Sequence, residues 1–160
     1  MSKPTVATLM TRDPLTCRAD DLLETAAHRM WERDVGALIV VDEREHPVAM
    51  ITDRDVAMAA YTQGRGLVDV PVAVAMSRDV SVVRVDTTLE AAHRAMQNNR
   101  VRRLPVVDDS GQAVGIVTLG DLAHLATPRA EADRMSADVL ATLRAVCEPR
   151  EHWLRELAAQ

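Results

Sequence analysis

Two short stretches of the chain, Thr52-Asp53-Arg54-Asp55 and Thr118-Leu119-Gly120-Asp121, set a hydroxyl and a carboxylate three residues apart behind an apolar run, MIT in one case and IVT in the other. At a turn from strand into helix this spacing has two readings. In the first, Thr accepts a hydrogen bond from an early helical N–H and Asp answers the positive end of the helix, which makes a cap. In the second, the same pair holds a nucleoside. A carboxylate accepts from both hydroxyls of a ribose, the threonine joins the sugar or a phosphate, and the N–H groups of the helix start favour an anion. Cations for such an anion stand at Arg102 and Arg103, preceded by Arg100, and at Arg54 inside the first motif. The competing reading of the three clustered arginines is a solvated basic strand edge.

Little else has the pattern of catalytic or metal chemistry. Cys17 and Cys147 stand far apart without a CxxC or a histidine at ligand spacing, so neither a zinc centre nor a disulfide framework is indicated. Two thiols in a reducing compartment are expected. His28, His46, His93, His124 and His152 have no ligand-like companions beyond Asp121 and His124 at helical spacing, and surface or helical roles are expected for them. There is no serine elbow, no glycine-rich phosphate loop and no carboxylate pair in a recognisable acid–base setting. The expectation is a binding module, not an enzyme, with no metal and no required cofactor.

Composition narrows the partners. The formal charge of −5 argues against a protein that coats nucleic acid, which needs a basic surface. There is no Phe, and Trp31, Tyr61 and Trp153 are the full aromatic complement, too few for a base-stacking platform. A purine bound here must lie between aliphatic side chains. The opening MSKPTVATLM lacks the apolar stretch of a signal peptide, and no segment approaches the run of about 18 apolar residues that crosses a bilayer. A cytoplasmic protein without membrane or nucleic-acid partners is expected.

The two motifs are positioned by a duplication. Shifted by 66, so that Thr52 falls on Thr118 and Asp55 on Asp121, residues 6–60 align with 72–126 without a gap, and more than a third of the positions are identical. One supersecondary unit has been used twice. Residues 15–18 and 80–85 read as short β-branched strands, followed by helix caps at Asp20 or Asp21 and at Asp86 or Thr87. LLETAAHRMWER and TLEAAHRAMQNN are amphipathic helices, with Leu23, Ala26, Ala27 and Met30, and Leu89, Ala92 and Met96, on the apolar face. Two strands follow in each copy, ALIVVD with VAMIT and LPVVDD with VGIVT, joined by polar turns. A second helix then starts at Thr52-Asp53 or Thr118-Leu119 and runs to about residue 63 or 126. Each copy is strand, helix, strand, strand, helix, an α/β (α+β) class. About 55 residues make a marginal core alone, so the halves should pack as a pseudo-two-fold pair with the two motifs in equivalent places at the seam. The expected boundaries are 4–66 for the first domain, 67–127 for the second and 128–160 for a helical tail. In that tail Ala137, Leu140, Leu143 and Val146 fit one amphipathic helix, and Trp153, Leu154 and Leu157 another, for packing on the pair or on a second subunit.

The duplicated order of elements, with LPVVD leading into GIVTLGD and ITDRD at the first copy's second-helix entry, resembles the cystathionine beta-synthase (CBS) domain pair, or Bateman module, in the form of a stand-alone bacterial-type CBS domain-containing protein. The resemblance covers about residues 4–127. It implies a disk-like pair with two clefts that take AMP, ADP, ATP or S-adenosylmethionine. It also implies a ribose role for Thr52 and Asp55 and for Thr118 and Asp121, phosphate roles for Arg102 and Arg103, and with them Arg54. The base would lie against the segments Pro14 to Thr16 and Val80 to Val82. Only the second copy carries the arginines, which fall on Asp34, Gly36 and Ala37 in the repeat. It also has Gly115, where the first has Ala49, leaving room for a close approach. Which motif the arginines serve stays open, and unequal clefts are expected.

The functional expectation is a sensor that binds an adenine nucleotide as a regulatory ligand between the repeats. It would signal to an unidentified protein target by a conformational or oligomeric change, as a homodimer. The alternative is a ligand-free structural or interaction module.

Overall fold

The computed structural model of the protein describes residues 3–124 and 132–147. In chain order the strands are β1 (Thr11–Arg12), β2 (Thr16–Cys17), β3 (Ala37–Val41), β4 (Pro47–Thr52), β5 (Val83–Arg84), β6 (Arg103–Val107) and β7 (Ala113–Thr118). The helices are α1 (Leu23–Glu32), α2 (Asp53–Gln63), α3 (Leu89–Asn99), α4 (Leu119–His124) and α5 (Ala132–Cys147). The expected α+β order thus occurs in both copies. β3 and β4 form a hairpin with β2 parallel to β3. β6 and β7 form the matching hairpin with β5 parallel to β6 and β1 added antiparallel to β7. Both hairpins carry a register shift at the same repeat position, Val40/Val41 and Val106/Val107.

β3 is buried along its whole length and β6 over all but its first residue, because helices cover one face and the other repeat covers the second. Leu23, Ala26 and Met30 of α1 pack on Leu38, Val40 and Ile51, while Leu89, Ala92 and Met96 of α3 pack on Leu104, Val106 and Val117. The hairpin turns are closed by equivalent aspartates. Asp42 accepts from the backbone N–H of His46 and Arg44, and Asp108 from the Ser110 hydroxyl and the backbone N–H of Gln112 and Ser110, which holds both carboxyls below their ordinary range.

The two leading segments change sides. Residues 4–12 pack in the second repeat, where Val6 and Met10 are core residues, and Val70 and Val72 belong to the core of the first. Three backbone hydrogen bonds on one side have partners shifted by 66 on the other. Val6 N–H donates to Thr87 O (2.8 Å) and Val72 N–H to Asp21 O (2.7 Å). Ala7 donates to Val85 O (3.3 Å) and Ala73 to Ala19 O (2.8 Å). Leu89 donates to Pro4 O (3.2 Å) and Leu23 to Val70 O (2.9 Å). These crossings alter the expected caps. The last pair satisfies an early N–H of α3 and α1 from the crossing strand, so α1 starts behind Leu22 with no side-chain cap, and α3 is capped by Thr88, whose hydroxyl accepts from Ala91 N–H. Asp21 and Thr87 instead close the preceding turns by accepting from Arg18 and Arg84 N–H.

Gly115 is explained by the same exchange. A Cβ there would stand 2.7 Å from Met10 Sδ and 3.0 Å from Thr11 O, so the close approach it permits is that of the first repeat's leading strand.

The tail helix packs on the pair, one of the two expected places, but with most of its apolar stripe turned outward. α5 lies across α3 and α4, and it buries Thr142, not the stripe of Ala137, Leu140 and Leu143, which is exposed. Thr142 Oγ1 sits 3.1 Å from His93 Nδ1 and accepts from Gln97 Nε2 at 3.0 Å, while Val146 reaches the second core. His93, expected in a surface or helical role, lies in α3 and is 2% exposed. Trp153, Leu154 and Leu157 lie outside the described residues.

Two outcomes follow. Gly115→Ala should cost about 1–3 kcal/mol in denaturant unfolding, because the Thr11 carbonyl is backbone that has to shift. Burial lowers the pKa of His93 below its ordinary 6.5, opposed by the smaller pull of Asp138. The unfolded chain therefore takes up that proton first as pH falls, so His93 makes stability decline below about pH 6.5 and contributes no slope above it. His93→Leu should flatten that part of the decline, measured by unfolding at a series of pH values.

Candidate functional site

Each T-x-x-D motif sits where its strand turns into a helix: Thr52 ends β4 before α2, and Thr118 ends β7 before α4. Thr52 is held in an extended conformation by its pairing with Ala37, and Thr118 pairs with Arg103. The two turns have the same internal bonds. Asp55 Oδ2 accepts from Thr52 N–H at 2.9 Å and from its hydroxyl at 2.7 Å, and Asp55 N–H donates to Thr52 Oγ1 at 3.2 Å. Asp121 Oδ2 accepts from Thr118 N–H and hydroxyl, both at 2.8 Å, and Asp121 N–H donates back at 3.2 Å. The cap is therefore complete in both copies. All of these bonds to the carboxylate fall on Oδ2, and both aspartates are half-buried, not enclosed.

Beside Asp55 there is an opening. A cavity of about 170 Å³ is bounded by Asp55, Met58, Ala59 and Thr62 of α2 and by Val74 and Ala75 of the inter-repeat segment. That is smaller than the roughly 300 Å³ and upward of a whole small-molecule site.

The two segments expected to face a base lie in the seam by topology. Thr11–Arg12 pair with Ile116 and Gly115 in the second repeat, and Thr16 then pairs with Ile39 in the first, so Pro14 to Thr16 cross from one repeat to the other. In the equivalent place Ser77 N–H donates to Met50 O at 2.8 Å in the first repeat, and Val83 pairs with Val106 in the second, so Val80 to Val82 cross the other way. Met50 is two residues before Thr52 and Ile116 two before Thr118, which associates Val80–Val82 with the first motif and Pro14–Thr16 with the second. Val82 is exposed; Pro14, Thr16 and Val80 are half-buried.

Of the cations, Arg54 and Arg102 are exposed and Arg103 is half-buried. Arg103 reaches out of its own repeat. A Cβ on Gly36 would lie 3.5 Å from Arg103 Nη2 and 3.2 Å from Asp53 Oδ2, so both groups stand near the same glycine at the entrance to α2. The structure thus brings Arg103 of the second repeat to Gly36 of the first. Asp53 and Gly36 were not singled out as site residues by the sequence reading. The available signal was the repeat itself, since Gly36 falls on Arg102 and Asp53 on Leu119.

Other reactive groups stay apart from this seam. Cys17 is buried in the first core, and burial pushes its thiol up to about 11, out of the range of a nucleophile at neutral pH. Among the described residues no group of His, Cys, Asp and Glu has the placement of a metal centre. Also among the described residues, no helix is long and apolar enough to cross a membrane.

Comparison with known proteins agrees with this geometry. Residues 6–61 and 69–127 each match the CBS domain. The chain is 38% identical over 114 residues to the CBS domain-containing protein YhcV of Bacillus subtilis, covering 71% of this chain and 79% of that one. It spans 64% and 58% of the length of two further relatives. Among solved structures, the CBS domain pair of protein MJ0100, in complex with 5′-methylthioadenosine and S-adenosyl-L-methionine, superimposes with a TM-score of 0.69 at 26% identity, over 78% of this chain and 96% of that one. CBSX2 in complex with AMP superimposes with a TM-score of 0.65 at 29% identity, over 76% and 95%. The chain belongs to the CBS domain family and carries two CBS domains in tandem, each lending its leading strand to the other.

Proposed function

We propose that the protein is a regulatory module that binds an adenosine-containing ligand between its two CBS domains, without catalysing a reaction. The carrying observation is that Arg103 from the second domain reaches Gly36 of the first, whose other near neighbour is Asp53 at the start of the helix that carries Asp55 and borders its cavity. One seam thereby combines a carboxylate and hydroxyl suited to ribose, a cation suited to phosphate, and the aliphatic segment Val80 to Val82 for the base. The solved relatives with AMP or with S-adenosylmethionine and methylthioadenosine support the ligand class.

The second seam, with Thr118, Asp121 and Pro14 to Thr16, has Gly36 and Ala37 where the first has Arg102 and Arg103. It suits a ligand without phosphate. Binding shifts a conformational or oligomeric balance that a protein target reads, and it does so only as far as the ligand prefers one state.

Calorimetric titration with AMP, ATP, S-adenosylmethionine and methylthioadenosine tests this. Arg103 takes no part in either helix cap, so Arg103→Ala should weaken AMP or ATP by about tenfold or more and leave the phosphate-free ligands unchanged. Asp55→Ala should abolish the phosphate-dependent binding and Asp121→Ala should spare it, with folding of each checked by circular dichroism because each also removes a cap of about 1 kcal/mol. Absence of heat with all four ligands would favour a scaffold that works without ligand.

A further inference from the structure

The polar cluster that fastens α5 to the second domain has a proton count with one consequence. Thr142 donates its single hydroxyl proton to Asp138 O at 2.8 Å. Its oxygen keeps two lone pairs, and one of them receives Gln97 Nε2–H at 3.0 Å. The other takes the proton of His93 Nδ1, at 3.1 Å. His93 is therefore neutral with its proton on Nδ1, and Nε2, buried and without a hydrogen-bond partner, keeps a bare lone pair.

A second proton on this ring has only Nε2 to go to, where it would be a charged donor with no acceptor, shut away from water. The surroundings offer little relief. Among the described side chains of α5, Asp138 is the charged one, and its pull is smaller than the effect of burial. On α3 itself Glu90 is half-exposed and already paired with Arg94 and Lys3. α4 adds Leu119 and Leu122 to the core, its Asp121 being bound to Thr118, and Arg103 at the start of β6 extends to Gly36 of the other repeat.

Opening the helix relieves that charge with less loss than opening the domain. Among the described residues, α5 gives the second core Val146 and the Thr142 cluster, while Leu140 and Leu143 lie on its outer side. The rest of that core comes from β5, β6, β7, α3, α4 and the crossing segment with Val6 and Met10. In the first repeat Ala27 and Trp31 stand in the places of His93 and Gln97, so the CBS fold does not require the cluster.

We infer that α5 is a proton-released latch: a second proton on His93 frees the helix from α3 and α4 while both domain cores stay folded. In the open form water reaches the ring, which then takes up the proton at its ordinary value near 6.5, whereas burial holds the docked form below that. Opening therefore grows as pH falls below about 6.5, by up to about tenfold per pH unit, and is flat above it.

Amide hydrogen exchange of the full chain, read by mass spectrometry and corrected for the intrinsic rate at each pH, tests this. Peptides within 137–146 should lose up to about tenfold in protection from pH 7.5 to 5.5, and low urea should barely change their exchange, since local opening exposes little surface. Peptides from β3 and β6 should exchange more slowly than α5 at every pH and quicken with urea. His93→Asn, whose amide donates to Thr142 in place of Nδ1 and does not titrate, and His93→Leu should both make α5 exchange independent of pH. A wild-type α5 with no pH trend overturns the inference, as does a trend that survives in both variants. So does α5 exchange as sensitive to urea as that of the strands, since the helix then leaves only when the domain unfolds.

Discussion

The exchange of leading segments is the constraint on which the rest of the molecule depends. Val6 and Val72 are fully buried in the opposite domain's core, each worth about 1.5–3 kcal/mol, and each crossing strand supplies or satisfies three backbone groups of the domain it enters. A unit of this size alone is marginal, so contributions of that order decide whether it folds. Neither domain is complete within its own stretch of sequence. The segment that lies beside each T-x-x-D strand must cross to the other half, and the crossing creates the seam at which the second repeat's Arg103 reaches Gly36 of the first.

Within that frame the two copies have diverged where they touch different things. Gly115 yields to Met10 and Thr11, whereas Ala49 sits where the partner crossing is reduced to Ser77 and its bonds to Met50. His93 and Gln97 receive α5, while Ala27 and Trp31 stay open. Arg103 projects over Gly36, and the pseudo-equivalent Ala37 has nothing to project. The paired crossing hydrogen bonds and the T-x-x-D turns have kept their symmetry because they specify the fold, and the side chains at these three places have lost it.

Local periodicity made the strands and helices legible in the sequence, and the ungapped 66-residue shift revealed the pairing of halves. The caps were misplaced because a cap was sought among side chains, and the early helical N–H groups of Leu23 and Leu89 are satisfied by carbonyls more than forty residues away in one case and eighty in the other. Such bonds leave no local signal. The face of α5 was misjudged for a related reason. Leu140 and Leu143 are the more apolar side, yet Thr142 is buried because it offers both a hydroxyl oxygen to Gln97 and a contact to His93, and its own proton to Asp138 O at 2.8 Å. A buried polar group with its partners in place is tolerated, and no periodicity of hydropathy finds it. The T-x-x-D motifs were readable as to type and turn, but the proximity of Arg103 to Gly36 is a tertiary fact.

Gly36 and Asp53 line the α1/α2 groove, and Gly36 is also where Arg103 arrives, which bears on how a ligand in the seam acts on that groove. An anion held by Arg103 changes the charge beside Asp53 by about one unit. Between groups in contact with water, that is worth on the order of 1 kcal/mol or less, a few-fold in an equilibrium. Charge alone therefore couples the two surfaces weakly. A stronger coupling has to move the turn itself, which Asp53 N–H ties to Gly36 O at 3.3 Å, and with it the end of the groove. By reciprocity anything seated in the groove would then alter ligand affinity by the same factor that the ligand alters its binding there.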